Sequence, residues 1–291
     1  MTYASVAHIQ VKKYQENQLK ESPDLVAVEE PLEIRLGYGP EHARKQIQLA
    51  VTMRTPGHDL ELATGFLFTE GTISSIEDII SIRHCVQVKE EEVGNVVRAE
   101  LSPELPIHEQ QWSRHFYVSS SCGVCGKSSM EAVKATGCPV LNPTLQVAAE
   151  TIHQLPARLR ETQTVFEHTG GLHAAALFDA EGNLLMMRED VGRHNAMDKL
   201  IGAALAAGWV PLQNYLILLS GRASFELVQK GLMAGIPLLA AVGAPSSLAV
   251  NLAKEFNMTL LGFVRNHRFN IYTGANRIKE AFVPKVANKQ P

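Results

Sequence analysis

The stretch SSSCGVCGKSS, residues 119–129, holds Cys122 and Cys125 in a CxxC pair among serines and glycines. Small polar residues of this kind suit an exposed loop, not a packed core. Three chemistries use such a pair. A structural zinc site needs four nitrogen or sulfur ligands, commonly as two spaced pairs. Here there is a single CxxC, and Cys138 has no histidine close to it in the sequence. A thioredoxin-like redox pair sits at a strand–helix junction within a βαβ unit. Here the pair follows HFYVSSS, and a helix is expected only from Ser128, where Ser128 and Glu131 have the spacing of a capping box. The third chemistry is sulfur relay. Lys127 and the nearby helix start favour a thiolate, and the thiolate is the nucleophile. A thiolate on such a loop could take sulfane sulfur, hold it as a persulfide and reach an acceptor.

Further polar groups gather where apolar runs stop. NYLILLS closes on Ser220-Gly221-Arg222-Ala223-Ser224, IPLLAAV on Gly243-Ala244-Pro245-Ser246-Ser247, and MTLLGFV on Arg265-Asn266-His267-Arg268. In an open α/β sheet, ligands bind outside the carboxyl ends of the strands. Ser224 and Ser246 or Ser247 would cap helices, whose first amides attract anions. Arg222, Arg265 and Arg268 add planar cations suited to phosphate oxygens. These features point to a phosphate-bearing ligand, with plain helix capping as the other reading. EDVGRHNAMDK, residues 189–199, is dense polarity at the start of an amphipathic helix. Asp190 or Asn195 would cap it, and His194 is either structural or a binding residue. His168 and His173 carry the same ambiguity.

These groups need elements to hold them. Residues 1–24 are polar and aperiodic and are expected to be a flexible tail. VAVEEPLEIRL and QIQLAVTMRT alternate as strands. A helix follows Pro56-Gly57, with Asp59 and Glu61 in its first turn, then a short helix around 76–80 and a hairpin turning at Gly94-Asn95. This makes a small N-terminal α+β domain over 25–117. A helix over VAAETIHQLPARL is expected, with Pro156 as a point of kinking. From residue 165 strands and helices alternate, and the strands are continuous apolar runs, as in a sheet covered on both faces. That gives an α/β domain over 118–291 with the CxxC loop at its start. The chain has 291 residues, a net charge of −3, 45% hydrophobic and 20% charged residues, and four cysteines. There is no polybasic run, so no nucleic-acid partner is expected. An apolar secretory segment at the N-terminus and an apolar run of membrane-spanning length are both missing, so a cytoplasmic protein with reduced thiols and no membrane partner is expected.

Seven segments together resemble one family. They are RTPGHDLELATGFLFTEG (54–71), SSSCGVCGK (119–127), HTGGLHAAAL (168–177), EDVGRHNAMDK (189–199), LSGRASFELVQK (219–230), GAPSSLAV (243–250) and LLGFVRNHRFNIYT (260–273). The chain resembles the formate dehydrogenase accessory sulfurtransferases, often called FdhD. The resemblance implies a C-terminal domain of the cytidine-deaminase-like three-layer α/β kind. The deaminase zinc ligands do not carry over: His194-Asn195-Ala196 stands in place of H-A-E, and no P-C-x-x-C follows. No metal or zinc is therefore expected. The resemblance further implies sulfur taken from a cysteine desulfurase and passed to the molybdenum (or tungsten) of a bis-guanine-dinucleotide molybdopterin, the cofactor of formate dehydrogenase. It implies a persulfide on Cys122, assistance from Cys125, cofactor contacts at Phe263, Val264, Arg265, Asn266, His267 and Arg268, and a homodimer. GDP and GMP would then act as analogues of the bound cofactor, with Ser220, Gly221, Arg222, Ser246 and His194 adding contacts. The alternative is a cofactor-binding chaperone for formate dehydrogenase whose cysteines are structural or bind zinc.

Overall fold

The computed structural model describes residues 5–106, 138, 140–141, 144–265 and 267–279. The CxxC pair and the helix expected from Ser128 lie outside the described residues. The N-terminal segment is not the loose tail that its polarity predicts. Val6–Gln15 (β1) and Gln18–Ala27 (β2) pair antiparallel along their whole length. Glu16 and Asn17 turn the chain, both at positive φ, 53° and 61°, as a two-residue type I′ turn requires. Ile9, Tyr14 and Leu19 remain exposed. Burial therefore imposes no alternation on this hairpin, and alternation is the signal by which a strand is read.

Glu30–Tyr38 (β3) and Lys45–Arg54 (β4) form the alternating pair that the sequence predicts, with Leu32, Ile34 and Leu36 buried. Gly57, at φ 106°, breaks the chain ahead of α1, Asp59–Thr69. Ile79–His84 (β5) and Val96–Leu101 (β6) are the expected antiparallel pair, and the sheet order is β4-β3-β6-β5. The short helix expected around 76–80 is only a 3-10 turn, Ile76–Asp78. The Asp78 carboxylate accepts from the Ser74 and Ser75 amides and closes that turn, and Ile79 already belongs to β5.

Val147–Ala148 (β7) leads into α2, Ala149–Arg160, which runs on through Pro156. A short helix, α3, spans Thr164–Thr169, and β2 of the hairpin lies against it. Then come β8 (His173–Phe178), β9 (Leu184–Asp190), α4 (Arg193–Ala206), β10 (Leu216–Leu219), α5 (Phe225–Met233), β11 (Leu238–Ala241), α6 (Ser247–Glu255), β12 (Thr259–Arg265) and β13 (Arg268–Thr273). Ile278–Lys279 (β14) pairs with β7. The large sheet has the order β13-β12-β11-β10-β8-β9, with β10, β11 and β12 parallel. Ala174, Ala176, Phe178, Leu216, Leu218 and Leu238 pack with Ile152, Leu155 and Leu159 of α2. The alternate residues Ala175, Leu177, Ile217, Leu219 and Leu239 pack on the other side with α4, α5 and α6. Helices thus cover both faces in three layers, which is why these strands read as unbroken apolar runs.

The two sheets share one hydrophobic cluster, which joins Leu36, Leu67 and Leu101 to Met197, Leu200 and Leu219. The joint is a crossing of α1 and α4 at two glycines. A Cβ on Gly65 would lie 1.9 Å from the Asp198 carbonyl oxygen, and one on Gly202 would lie 1.9 Å from that of Glu61. Both obstacles are backbone, so neither can swing aside. Gly202→Ala is expected to lower stability by about 3 kcal/mol, at the upper end of overpacking costs, by forcing the helices apart. A denaturant midpoint unchanged from wild type would contradict this packing.

Candidate functional site

Because β10, β11 and β12 are parallel, the loops that follow them meet at one edge. The ladder continues beyond the strands. The Gly243 amide donates to Gly221 O at 2.9 Å, the Ser246 amide to Ala223 O at 3.0 Å, and the Phe263 amide to Gly243 O at 3.0 Å. Gly243 is needed for this approach, since a Cβ there would lie 3.0 Å from both Arg222 Cγ and Gly221 O. Ser246 caps α6 as expected, its hydroxyl accepting from the Ala249 amide at 3.2 Å. Ser224 occupies the cap position of α5, but its hydroxyl lies 3.2 Å from His194 Nε2. Ser220 is spent inside the sheet, where its hydroxyl accepts from the Ala174 amide at 2.8 Å and ties β10 to β8.

The residues expected around one ligand fall into two groups. Ser220, Gly221, Arg222, Ser246 and His194 sit at the starts of α4, α5 and α6. Phe263, Arg265, His267 and Arg268 belong to the β12–β13 turn, two strand spacings or about 10 Å along the sheet from β10. A bulge between Gly262 and Arg265 puts Phe263 at φ 55°, and the Arg265 guanidinium lies 5.8 Å from its ring. The same bulge turns Val264 inward. Its side chain is fully buried in the cluster on the α2 side, so only its backbone remains for the ligand contact expected there. Asn266 lies outside the described residues. His267 stands edge-on to His153 of α2 at 5.8 Å. Among the described residues, Glu150, His153 and His267 bring three metal-capable atoms within 4.8 Å of one another.

His173 and Arg193 join the first group, although the sequence left the histidine ambiguous and did not single out the arginine. His173 opens β8, opposite Asp190 at the end of β9. A Cβ on Gly221 would come within 3.2 Å of its Nδ1. Burial holds the His173 imidazole below its ordinary pKa, and the charges of Arg193 and Arg222 add to the effect. His194 is pushed down to about 4, by burial first and then by Lys230 and Arg193, against the pull of Glu226 and Glu70. Its Nε2 lies 3.2 Å from Ser224 Oγ and 3.8 Å from Glu226 Oε2. Both neighbours face the same ring nitrogen, so this is not a serine–histidine–carboxylate relay, which needs one partner on each nitrogen. His194 is expected to stay neutral down to about pH 4. An NMR titration of its ring checks this, and a midpoint near the unperturbed value of about 6.5 would contradict it. Since the folded value lies below the unfolded one, the contribution of His194 to stability is intact above about pH 6.5. It is lost as the pH falls toward 4.

Asp190 and Asn195 are not the helix caps that their positions predict; Gly192 holds the cap position of α4. Asp190 Oδ2 pairs with Lys199 Nζ at 2.7 Å and accepts from the Thr55 amide. Its Oδ1 accepts from the Gly192 amide and from Asn195 Nδ2. Asn195 also donates to Met53 O at 2.7 Å, and Lys199 to Thr55 O at 2.8 Å. These buried bonds weld the end of β4 to the start of α4. A second buried set does the same between α1, α4 and α5: Lys230 Nζ meets Asp198 Oδ1 and Thr69 Oγ1, both at 2.9 Å. In a third, Arg54 grips both oxygens of Asp59 and Asn95 Oδ1.

All of this falls within the stretch, residues 27–279, that matches the sequence profile of the FdhD/NarQ family. The chain belongs to the FdhD/NarQ family. A relative from Mycolicibacterium paratuberculosis, named sulfur carrier protein FdhD, is 53% identical over 260 residues, covering 88% of this chain and 92% of its own. One of the same name from Saccharolobus solfataricus is 42% identical over 275 residues, covering 93% and 99%. The fold matches the solved structure of a protein from Desulfotalea psychrophila, described as a formate dehydrogenase accessory protein, with a TM-score of 0.72 at 23% identity, over 95% of this chain and all of that one. For this FdhD/NarQ member, the buried polar sets account for part of two dense motifs: Arg54 and Asp59, and Asp190, Asn195, Asp198 and Lys199, hold the scaffold, whereas Arg193 and His194 take no part in those buried sets. None of the described helices is long and apolar enough to cross a membrane.

Proposed function

We propose that this chain is a sulfur carrier. It takes sulfane sulfur from a cysteine desulfurase as a persulfide on Cys122 and delivers it to the bis-guanine-dinucleotide molybdopterin of formate dehydrogenase. The names of its relatives support the sulfur-carrier part. The substrate part rests on one observation: three parallel strands bring Arg222, Arg265 and Arg268 to one edge, and among the described residues none of the three forms an ion pair. Cations left without carboxylates at the carboxyl edge of a sheet suit a ligand that brings its own negative charge, and the cofactor brings two pyrophosphates.

In the first step the Cys122 thiolate attacks the terminal sulfur of the desulfurase persulfide. The new S–S bond forms on Cys122 and the desulfurase leaves as its thiolate. Cys125 assists the onward transfer, by relay or by shielding the persulfide. The cofactor is a passing substrate here; this chain's part is to bind its nucleotide arms and bring the Cys122 sulfur to it. Arg265, Arg268 and the backbone of Val264 hold one arm at the β12–β13 turn. A homodimer would offer one such turn for each of the two guanines. Loss of one charged hydrogen bond costs about 1.5–3 kcal/mol, so Arg268→Ala is expected to weaken GDP binding about tenfold or more by calorimetry. Equal affinities would move the nucleotide elsewhere. The sulfur reading is tested by incubation with a cysteine desulfurase and cysteine. One added sulfur on Cys122 in the mass spectrum is expected. A cysteine that never gains it would leave a cofactor-binding chaperone.

A further inference from the structure

Two guanidinium groups and an imidazole converge at the start of α4, and nothing described neutralises them. The strand register places them. His173 pairs with Asp190 across β8 and β9, and Arg193 opens α4 three residues after Asp190. On the adjoining strand, Gly221 approaches His173 so closely that a Cβ would lie 3.2 Å from Nδ1. Arg222 follows it and packs over Gly243. The charges of Arg193 and Arg222 both reach His173.

The carboxylates near them are already committed. Both oxygens of Asp190 are taken, one of them by Lys199 at 2.7 Å. Glu226 faces His194, Glu70 and Asp198 serve Lys230, and Glu189 accepts from the Phe166 amide. Among the described residues neither Arg193 nor Arg222 has an ion-pair partner, and Arg193 Nε is buried without a hydrogen bond. A half-buried guanidinium with an orphaned N–H is costly unless an anion completes it. Burial disfavours a charge on His173, whose ring nitrogens add a donor or an acceptor. The first-turn amides of the fourteen-residue α4 open on the same side.

We propose that His173, Arg193 and Arg222 form a second anion subsite, built for a tetrahedral oxyanion of the phosphate class and distinct from the arginine turn at 265–268. Two planar forks can each hold two oxygens of such a group. Lying two strand spacings from β12 at Arg222 and three at His173, or about 10–15 Å, the subsite would take the diphosphate or the charged inner end of an elongated ligand whose base rests at the β12–β13 turn. This placement rests on the nucleotide reading above, whereas the anion subsite itself does not.

Calorimetry with inorganic pyrophosphate, GDP and guanosine on wild type, Arg193→Gln and Arg222→Gln separates these claims. Unchanged melting temperatures certify the variants, and His173→Gln replaces any variant that fails to fold. Each substitution is expected to weaken pyrophosphate and GDP about tenfold and to leave guanosine unaffected. No pyrophosphate binding by wild type, or affinities in the variants equal to wild type, overturns the subsite. Pyrophosphate binding that depends on Arg193, with no binding of GDP, keeps the subsite for a free oxyanion and overturns the nucleotide reading instead. GDP binding lost in Arg268→Ala, with both GDP and pyrophosphate binding untouched in Arg193→Gln, keeps the nucleotide reading and overturns the subsite.

Discussion

Replacing Cys122 by alanine is expected to abolish activation of formate dehydrogenase, to the level seen without this chain, while its melting temperature stays that of wild type. The expectation separates chemistry from packing. Cys122 stands among Ser119, Ser120, Ser121, Gly123 and Gly126, side chains too small to build a core around a thiol. Cys138 is different, since it is buried in the main hydrophobic cluster. A relay depends on one nucleophilic sulfur, and an alanine methyl cannot form the S–S bond that carries the cargo. Cys85, half-buried and free at the end of β5, serves as the control: Cys85→Ala should activate normally. Formate dehydrogenase matured in full by the Cys122→Ala protein would remove the persulfide from this residue. A fall in its melting temperature would point to a structural thiol.

Lys199→Met is expected to be the most destabilising single change in the scaffold, costing about 3–5 kcal/mol, the usual result of stripping one partner from a buried ion pair. Lys199 is 1% exposed and Asp190 0%. Burial pushes the Asp190 carboxyl above the usual carboxylate range, and Lys199 is the charge that opposes this most. Without Lys199 the carboxyl is left charged in the interior or must take a proton. For a chain of this size the loss corresponds to a fall in melting temperature on the order of 10 °C. The double variant Asp190→Asn, Lys199→Met should recover much of it, because the uncompensated charge is then gone. A single variant that melts within about 2 °C of wild type would mean that the pair contributes little and that the hydrogen bonds from Thr55 and Asn195 hold the joint alone.

Several parts of this molecule can be read from residue types and spacing alone. The β3–β4 pair is one, because burial of Leu32, Ile34 and Leu36 leaves an alternating pattern. The parallel strands β10, β11 and β12 are another: burial on both faces leaves each as an unbroken apolar run. The break at Pro56-Gly57 and the cap at Ser246 are local too, since their physics spans only a few residues. The family likewise follows from motifs in fixed order. Other features depend on partners far away in the chain. Whether Asp190 caps a helix or anchors an ion pair is decided by Lys199 and Thr55, and whether the Val264 side chain enters the core is decided by a bulge against β13. The β1–β2 hairpin is built on backbone pairing that leaves no apolar trace. His173, Arg193 and Arg222 are separated in sequence, and only the register of β8 against β9 and β10 assembles them. Periodicity reports how each segment is buried, but the partner of a charge is set by long-range pairing that no local pattern encodes. The tertiary structure alone therefore decided which polar residues hold the scaffold and which are left uncommitted.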